Sequence, residues 1–178
     1  MDLHTSVPGL ELLKPDVDRD PPAAVGWLAG DAGRSTLRLM GNTEEHTGPT
    51  TLDTERARVQ GFLDSREQLT WTLNLHGRPV GVIWVDLLPT DHVLAPAVHI
   101  MIGDPTARGH GVGRAALTAV IDHISHTHKH PSLYSRHLTS NRPVINLLGS
   151  AGFRDLGEPY VDSDGLRWQN VVLDLTPD

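Results

Sequence analysis

Apolar and polar positions along the chain alternate at two different periods, and the switches between them mark out its elements. From Leu69 the period is two: Leu69, Trp71, Leu73 and Leu75 alternate with polar residues, the pattern of a half-buried strand. His76-Gly77-Arg78-Pro79 then turns the chain and Val80 to Leu88 runs back, which predicts an antiparallel hairpin. After a polar, proline-bearing break, Ala97 to Ile102 forms another strand, ended by Gly103-Asp104-Pro105. The period then lengthens. Leu117, Val120, Ile121 and Ile124 stand at i, i+3, i+4 and i+7, one apolar stripe on a helix of about four turns that starts near Gly113.

Leu133 to Leu138 is the next strand, followed by Asn141 as a helix cap and Pro143 in the first turn of a helix. That helix carries Val144, Leu147, Leu148 and Ala151 on one face, and Gly152 ends it in the left-handed conformation. Phe153 to Glu158 and Trp168 to Leu175 supply two closing strands around the turn Asp162-Ser163-Asp164-Gly165. Nearer the N-terminus the signals are sparser. Val7 to Leu13 predicts a first strand and Pro21 to Leu28 a short helix with prolines in its first turn. Asp53 to Ser65 has Val59, Phe62 and Leu63 at helical spacing, Thr51 or Asp53 as cap, and a Gly-, Thr- and Pro-rich loop before it. There is no internal repeat, and 178 residues suit a single domain in which strands and helices alternate on a mixed sheet.

Composition narrows the partners. The 15 Lys and Arg against 22 Asp and Glu give a net charge of -7, a field that repels polyanions and argues against nucleic acid while favouring a cationic partner. With no Cys, disulfides, thiolate metal sites and an acyl-cysteine intermediate are all excluded. The stretch Met1 to Leu13 holds acidic residues and no long apolar run, so neither a signal peptide nor a membrane helix is expected and the cytoplasm is the default location.

The stretch Arg108-Gly109-His110-Gly111-Val112-Gly113 lies between a strand and an amphipathic helix. Three glycines remove the Cβ atoms that would hold a ligand away and allow successive N–H groups to turn toward one point. The helix N-terminus adds its dipole and unpaired donors, with Arg108, His110 and Arg114 at the rim. A plain packing turn competes with this phosphate-gripping reading. A dinucleotide fold does not, because the glycines are at spacing two, mid-chain, after an antiparallel hairpin; a triphosphatase loop fails for want of Gly-Lys-Ser/Thr.

The stretch matches the R/Q-x-x-G-x-G/A signature of the GNAT N-acetyltransferases, with Arg108, Gly111 and Gly113 at the fixed positions. Downstream, Asn141-Arg142-Pro143-Val144-Ile145-Asn146-Leu147-Leu148-Gly149-Ser150-Ala151-Gly152-Phe153 is similar to the family's second motif. The run Ile100-Met101-Ile102-Gly103-Asp104-Pro105 resembles the branch holding ribosomal-protein alanine, polyamine and some antibiotic acetyltransferases. The resemblance implies an α+β fold: a mixed, mostly antiparallel sheet of six to seven strands, flanked by about four helices and splayed at the cofactor. It divides the single domain into an acceptor side, 1–68, and an acetyl-CoA core, 69–178. Acetyl-CoA is then a co-substrate, its pantetheine and thioester facing the backbone near Met101 and Ile102. Its pyrophosphate would face Gly109, His110, Gly111, Val112 and Gly113 with Arg108 and Arg114, and Asn141 would contact its arm.

Acetyl transfer to an amine needs an uncharged nitrogen, a polarised carbonyl and a proton for the departing thiolate. Without Cys or a G-x-S-x-G elbow, direct transfer is the simplest route. His99, on the strand before the glycine loop, suits proton removal, against the alternative of a satisfied polar residue in a half-buried strand. In some relatives a carboxylate near this point is the base; Ala97 or His99 takes its place here, with Asp86, Glu44 and Glu45 in reserve. The family's general-acid tyrosine is replaced by Leu148, and Tyr134 and Tyr160, the only tyrosines, do not align with it; water, Ser150 or the acceptor is left to protonate the thiolate. His123, His126, His128 and His130 lack a metal motif and suit a helix C-terminus unaided, so no metal is expected.

Glu44, Glu45, Asp53, Glu55, Asp86 and Asp91 fall in acceptor-side regions, and Glu44, Glu45 and Asp86 are the expected acceptor ligands. An acidic surface also serves solubility. The leading expectation is a small cationic amine of the aminoglycoside antibiotic class, including the kasugamycin type, by analogy with relatives of similar size. A polyamine or a protein N-terminus is the alternative acceptor, and a non-catalytic acyl-CoA sensor the alternative of another class. A homodimer is compatible with these readings; nucleic acid and membrane are not expected partners.

Overall fold

In the computed structural model, which describes residues 1–128 and 130–175, the strands are β1 (Leu3–His4), β2 (Leu10–Leu13), β3 (Gln68–Leu75), β4 (Arg78–Asp86), β5 (Ala97–Ile102), β6 (Ser132–Leu138), β7 (Arg154–Asp155), β8 (Tyr160–Val161) and β9 (Arg167–Asp174). The helices are α1 (Asp20–Trp27), α2 (Gly30–Leu39), α3 (Leu52–Asp64), α4 (Val112–Thr127) and α5 (Arg142–Ser150), with single turns of 3-10 helix at Glu44–His46 and Pro105–Ala107. All strands join one sheet in the order β1-β2-β3-β4-β5-β6-β9-β7, with β8 also on β9. Every pairing is antiparallel except β5 with β6, which is parallel and holds a single register pair, Ala97 with Tyr134.

The period-two pattern sorts the two faces. On β3, Trp71 points at α4, its ring edge-on to His123 at 5.5 Å, while Thr72 points the other way and donates from Oγ1 to Asp20 Oδ2 of α1 at 2.5 Å. The stripe expected on α4 is buried: Leu117, Val120 and Ile124 lose all exposure against Leu12, Leu73, Ile83, Val85 and Leu133. Each such side chain contributes about 1.5–3 kcal/mol of burial, which is what holds α4 on the sheet.

The α+β class, the mixed sheet and the splay agree with expectation; the larger strand count comes from the two-residue strands β1, β7 and β8. Three readings change. Val7 to Leu13 is not one strand: Thr5 Oγ1 accepts from Val7 N–H, Leu10 N–H returns to Val7 O at 3.1 Å, and Gly9 sits at φ +75° with the His76 ring where a Cβ would be. Phe153 to Glu158 narrows to β7, because the chain leaves the sheet edge after a last bond from Leu156 N–H to Asn170 O at 2.8 Å. Helix α2 has no counterpart in the sequence reading. Its sequence, GDAGRSTLRL, holds two glycines and little apolar spacing, and tertiary contact sustains it: Gly33 packs on the Leu28 backbone with no room for a Cβ, and buried Thr36 accepts from Arg108.

Candidate functional site

The parallel pair β5/β6 opens immediately after it forms. Tyr134 N–H donates to Pro96 O at 2.8 Å and Ser135 Oγ to Val98 O at 2.7 Å, so the even-numbered backbone groups of β5 face β6. Ile102 O, next but one along that side, is taken by Arg108, whose Nε and Nη2 lie 3.0 and 2.8 Å away. Between them Ile100 presents its N–H and C=O to the gap with no strand in register opposite. Met101 does not share this role. Its carbonyl is turned toward β4, into the space where a Cβ on Gly81 would sit, so Met101 offers its side chain to the site and not its backbone.

Below the gap lies a cavity of about 550 Å³ bounded by Ile100, Met101, Ile102, the glycine loop, the start of α4 and the α5 residues Pro143, Val144 and Leu147. Gly109 and Gly111 adopt φ +78° and +80°, with no atom within 4 Å of a Cβ on Gly109 and only Val7 Cγ2, at 4.0 Å, beside one on Gly111. Gly111 caps α4 with no side-chain bond, and the first helical return is Ala115 N–H to Gly111 O at 3.0 Å. The N–H groups of Val112, Gly113 and Arg114 are therefore open to a ligand. Arg114 lines the cavity, whereas His110 is exposed outside its lining. Arg108 lines it too, but its bonds to Ile102 and Thr36 make it chiefly a brace for the loop. Apolar walls leading to a cradle of amides fit a long acyl carrier ending in a pyrophosphate.

Asn141 is buried and borders this cavity and the next. Its Oδ1 accepts from Val144 N–H at 3.3 Å, the expected cap, and its Nδ2 donates to Leu39 O at 2.9 Å, tying α5 to the end of α2. Asn141→Ala removes a cap and a buried tie, about 1–3 kcal/mol together. Melting should fall by about 2–4 °C for each kcal/mol, while Asn141→Asp, keeping the cap, should lose less.

Between the separating strands lies a second cavity, about 270 Å³, where Trp84, Asp86, His99, Arg136, Asn141 and Trp168 converge beside Leu117, Val144 and Leu148. Trp84 and His99 are register partners on β4 and β5, and their rings stack at 5.1 Å. His99 Nε2 lies 3.1 Å from Asp86 Oδ2, in ion-pair range but off the hydrogen-bond direction, so this buried nitrogen has no hydrogen-bond partner. Asp86 Oδ1 accepts from Gln68 Nε2 at 2.8 Å. Burial pushes the Asp86 carboxyl up, but His99 and Gln68 outweigh it and hold the carboxyl below its usual range. Met40, at the end of the α2 that sequence did not reveal, borders both cavities and a third of about 350 Å³ under α1 and α3.

The remaining acidic candidates are not gathered here. Glu44 is exposed and paired with Arg38 Nη2 at 2.9 Å, Glu45 is exposed, and neither lines any of these three cavities; Glu55 is buried against Thr50 and Arg58. Leu148 is buried and apolar, and Ser150 Oγ donates to Leu147 O at 2.8 Å. Arg136 and Trp168, absent from the sequence-derived site, enter through the β6/β9 register, which no local motif encodes. Among the described residues no three His, Cys, Asp or Glu converge to hold a metal, and no helix is long and apolar enough to cross a membrane.

Residues 13–154 match the family model for the acetyltransferase (GNAT) domain. No curated protein matches the chain significantly in sequence. Among solved structures the chain is similar to the ribosomal L7/L12 alpha-N-protein acetyltransferase RimL in complex with coenzyme A, at 14% identity, TM-score 0.79 and 97% coverage of each chain. It is similar to RimJ of Mycobacterium smegmatis in complex with CoA-disulfide, at 18% identity and TM-score 0.74, covering 98% of this chain and 87% of that one. It also resembles the microcin C7 self-immunity acetyltransferase MccE in complex with acetyl-CoA and AMP, at 11% identity and TM-score 0.73, covering 94% and 93%.

Proposed function

Because the chain belongs to the GNAT acetyltransferase family, we propose that it moves the acetyl group of acetyl-CoA directly to the single primary amine of an aminoacyl acceptor, a free amino acid derivative or a peptide N-terminus. The observation that carries this choice is the disposition of the carboxylates. Asp86 is the one carboxylate lining the 270 Å³ cavity; Glu44 and Glu45 lie outside it, and Glu55 is buried against Arg58. One carboxylate suits one ammonium. An aminoglycoside or polyamine, with several ammonium groups, gains most from several free carboxylates. That RimL, a ribosomal L7/L12 alpha-N-protein acetyltransferase, is among the similar structures adds weight to an α-amine.

Acetyl-CoA supplies the activated acetyl group and a thiolate as leaving group. The residues of the chain do the rest. The acceptor ammonium enters beside Asp86, and its proton passes to His99, whose Nε2 lies 3.1 Å from Asp86 Oδ2. The amine lone pair is then free to attack. Ile100 N–H, unpaired in the gap, donates to the carbonyl oxygen as negative charge builds there. Buried Leu148 has no proton to give, so the leaving thiolate takes its proton from water or the acceptor nitrogen.

A panel of amines tests this by thiol release: amino acid amides and short peptides, a polyamine and an aminoglycoside, at low and high salt. The expected result is turnover of the single-amine acceptors with a Michaelis constant nearly independent of salt. Turnover confined to polycations, with a steep salt response, overturns the reading. Acetyl-CoA binding with no release of the CoA thiol in the presence of any acceptor makes the protein an acyl-CoA sensor.

A further inference from the structure

The acceptor cavity contains a cation that the reaction above leaves unused. Arg136 lies on β6 two residues past Tyr134, as His99 lies on β5 two residues past Ala97, its register partner. The strands are parallel, so both side chains emerge on the same face, flanking the opening, and both line the 270 Å³ cavity. The guanidinium is held in place. Its carbon stands 4.2 Å over the Trp168 ring and Nη1 donates to Tyr160 Oη at 3.1 Å. Yet it forms no ion pair within 4 Å among the described residues. Two carboxylates lie near it without contact: Asp86 lines the same cavity, and Asp162 turns Oδ2 to Trp168 Nε1–H at 2.7 Å and Oδ1 to the N–H groups of Asp164 and Leu166 at 3.0 and 2.9 Å. Desolvation pushes the Asp162 carboxyl up, but those bonds and, after them, the Arg136 charge hold it below its usual range.

A half-buried guanidinium, oriented by stacking and with no carboxylate in direct contact, is a preformed receptor for a carboxylate. We propose that Arg136 binds a carboxylate carried by the acceptor, so that the acceptor places its ammonium at Asp86 and His99 and its anion across the gap at Arg136. This rests on the amine docking at Asp86 and His99. It also accounts for a chain with net charge -7 keeping a cation unpaired at this place. The carboxylate has two chemical sources: the α-carboxylate of a free amino acid, or an acidic side chain at the second position of a peptide.

The test compares matched acceptors in the wild type, Arg136→Gln and Arg136→Lys. The pairs are phenylalanine with phenylalaninamide, and the dipeptide amides Ser-Glu-NH2 with Ser-Gln-NH2. The wild type should prefer the acid of one pair by about 10- to 100-fold in kcat/KM, the range for a charged hydrogen bond. The pair that shows it identifies the source. Arg136→Gln should erase the preference while still turning over the neutral member, and Arg136→Lys should keep part of it, since a point charge replaces the planar fork. Equal rates within both pairs for the wild type, or an equal loss on acid and amide in Arg136→Gln, overturns the proposal.

A second measurement separates its failure from that of the acetyl-transfer reading. 3-Phenylpropionate, which has no amine, should quench the fluorescence of Trp168 and Trp84 in the wild type and not in Arg136→Gln. Quenching without turnover of any acceptor leaves the anion site standing and removes the reaction. Turnover with neither preference nor quenching does the reverse.

Discussion

Gly111→Val should weaken acetyl-CoA binding by about 100-fold or more, equivalent to about 2.7 kcal/mol, while leaving a folded protein. Gly111 sits at φ +80° and ψ -2°, in the left-handed region, as the residue before α4. A β-branched side chain is a genuine outlier there, at a cost of about 1–2 kcal/mol that the loop relieves by rotating away. The rotation redirects the N–H groups of Val112, Gly113 and Arg114, which have no partners inside the helix. The fold should survive because an added Cβ meets only Val7 Cγ2, at 4.0 Å. Calorimetric titration with acetyl-CoA checks it, beside a thermal melt. Gly111→Asn separates angle from bulk: Asn tolerates the left-handed region, so it should retain most of the affinity. Wild-type affinity in Gly111→Val overturns the assignment of the pyrophosphate to this loop.

That loop was legible because its chemistry is contiguous. Arg108 to Gly113 and Asn141 to Phe153 are runs in which turn, cap and apolar face follow one another in sequence, and the structure places both runs on the larger cavity. Period-two alternation gave β3 to β5 within a residue or two, since each strand buries one face. The acceptor side was less legible because it is assembled from distant strands. Asp86 meets His99 through the β4/β5 register, and the loop 87–96 between the strands has no fixed-length turn from which that register could be read. Arg136 reaches the same cavity through a parallel pair of one residue, and Trp168 through β9. Helix α2 was hidden because it is held by Gly33 against Leu28 and Thr36 against Arg108, contacts that its own sequence does not announce. The acidic candidates failed for a related reason. Sequence counts carboxylates but does not show that Arg38 and Arg58 already hold Glu44 and Glu55.

His99→Ala should lower turnover by about 100- to 10,000-fold, the usual contribution of a positioned base, with acetyl-CoA affinity little changed. The side chain acts on the amine proton and lies outside the cavity that takes the coenzyme. The pH profile carries the sharper test. If His99 removes the amine proton, the mutant should lose the acid-side limb of the wild-type rate profile or move it toward the acceptor amine. Asp86 is not the source of the limb, because its carboxyl is held below its usual range and stays ionised at higher pH. The sign for stability is then fixed. A depressed folded pKa contributes stability above the unfolded carboxylate value, and that stability is lost as pH falls through the folded one. Asp86→Asn should therefore flatten the acid end of the melting curve while also slowing turnover, because His99 Nε2 loses the carboxylate it faces at 3.1 Å. His99→Ala also unstacks Trp84, so melts must accompany the kinetics. If His99→Ala keeps both turnover and the acidic limb, His99 is a packing residue of β5, and a water relay to Asp86 becomes the path for the proton.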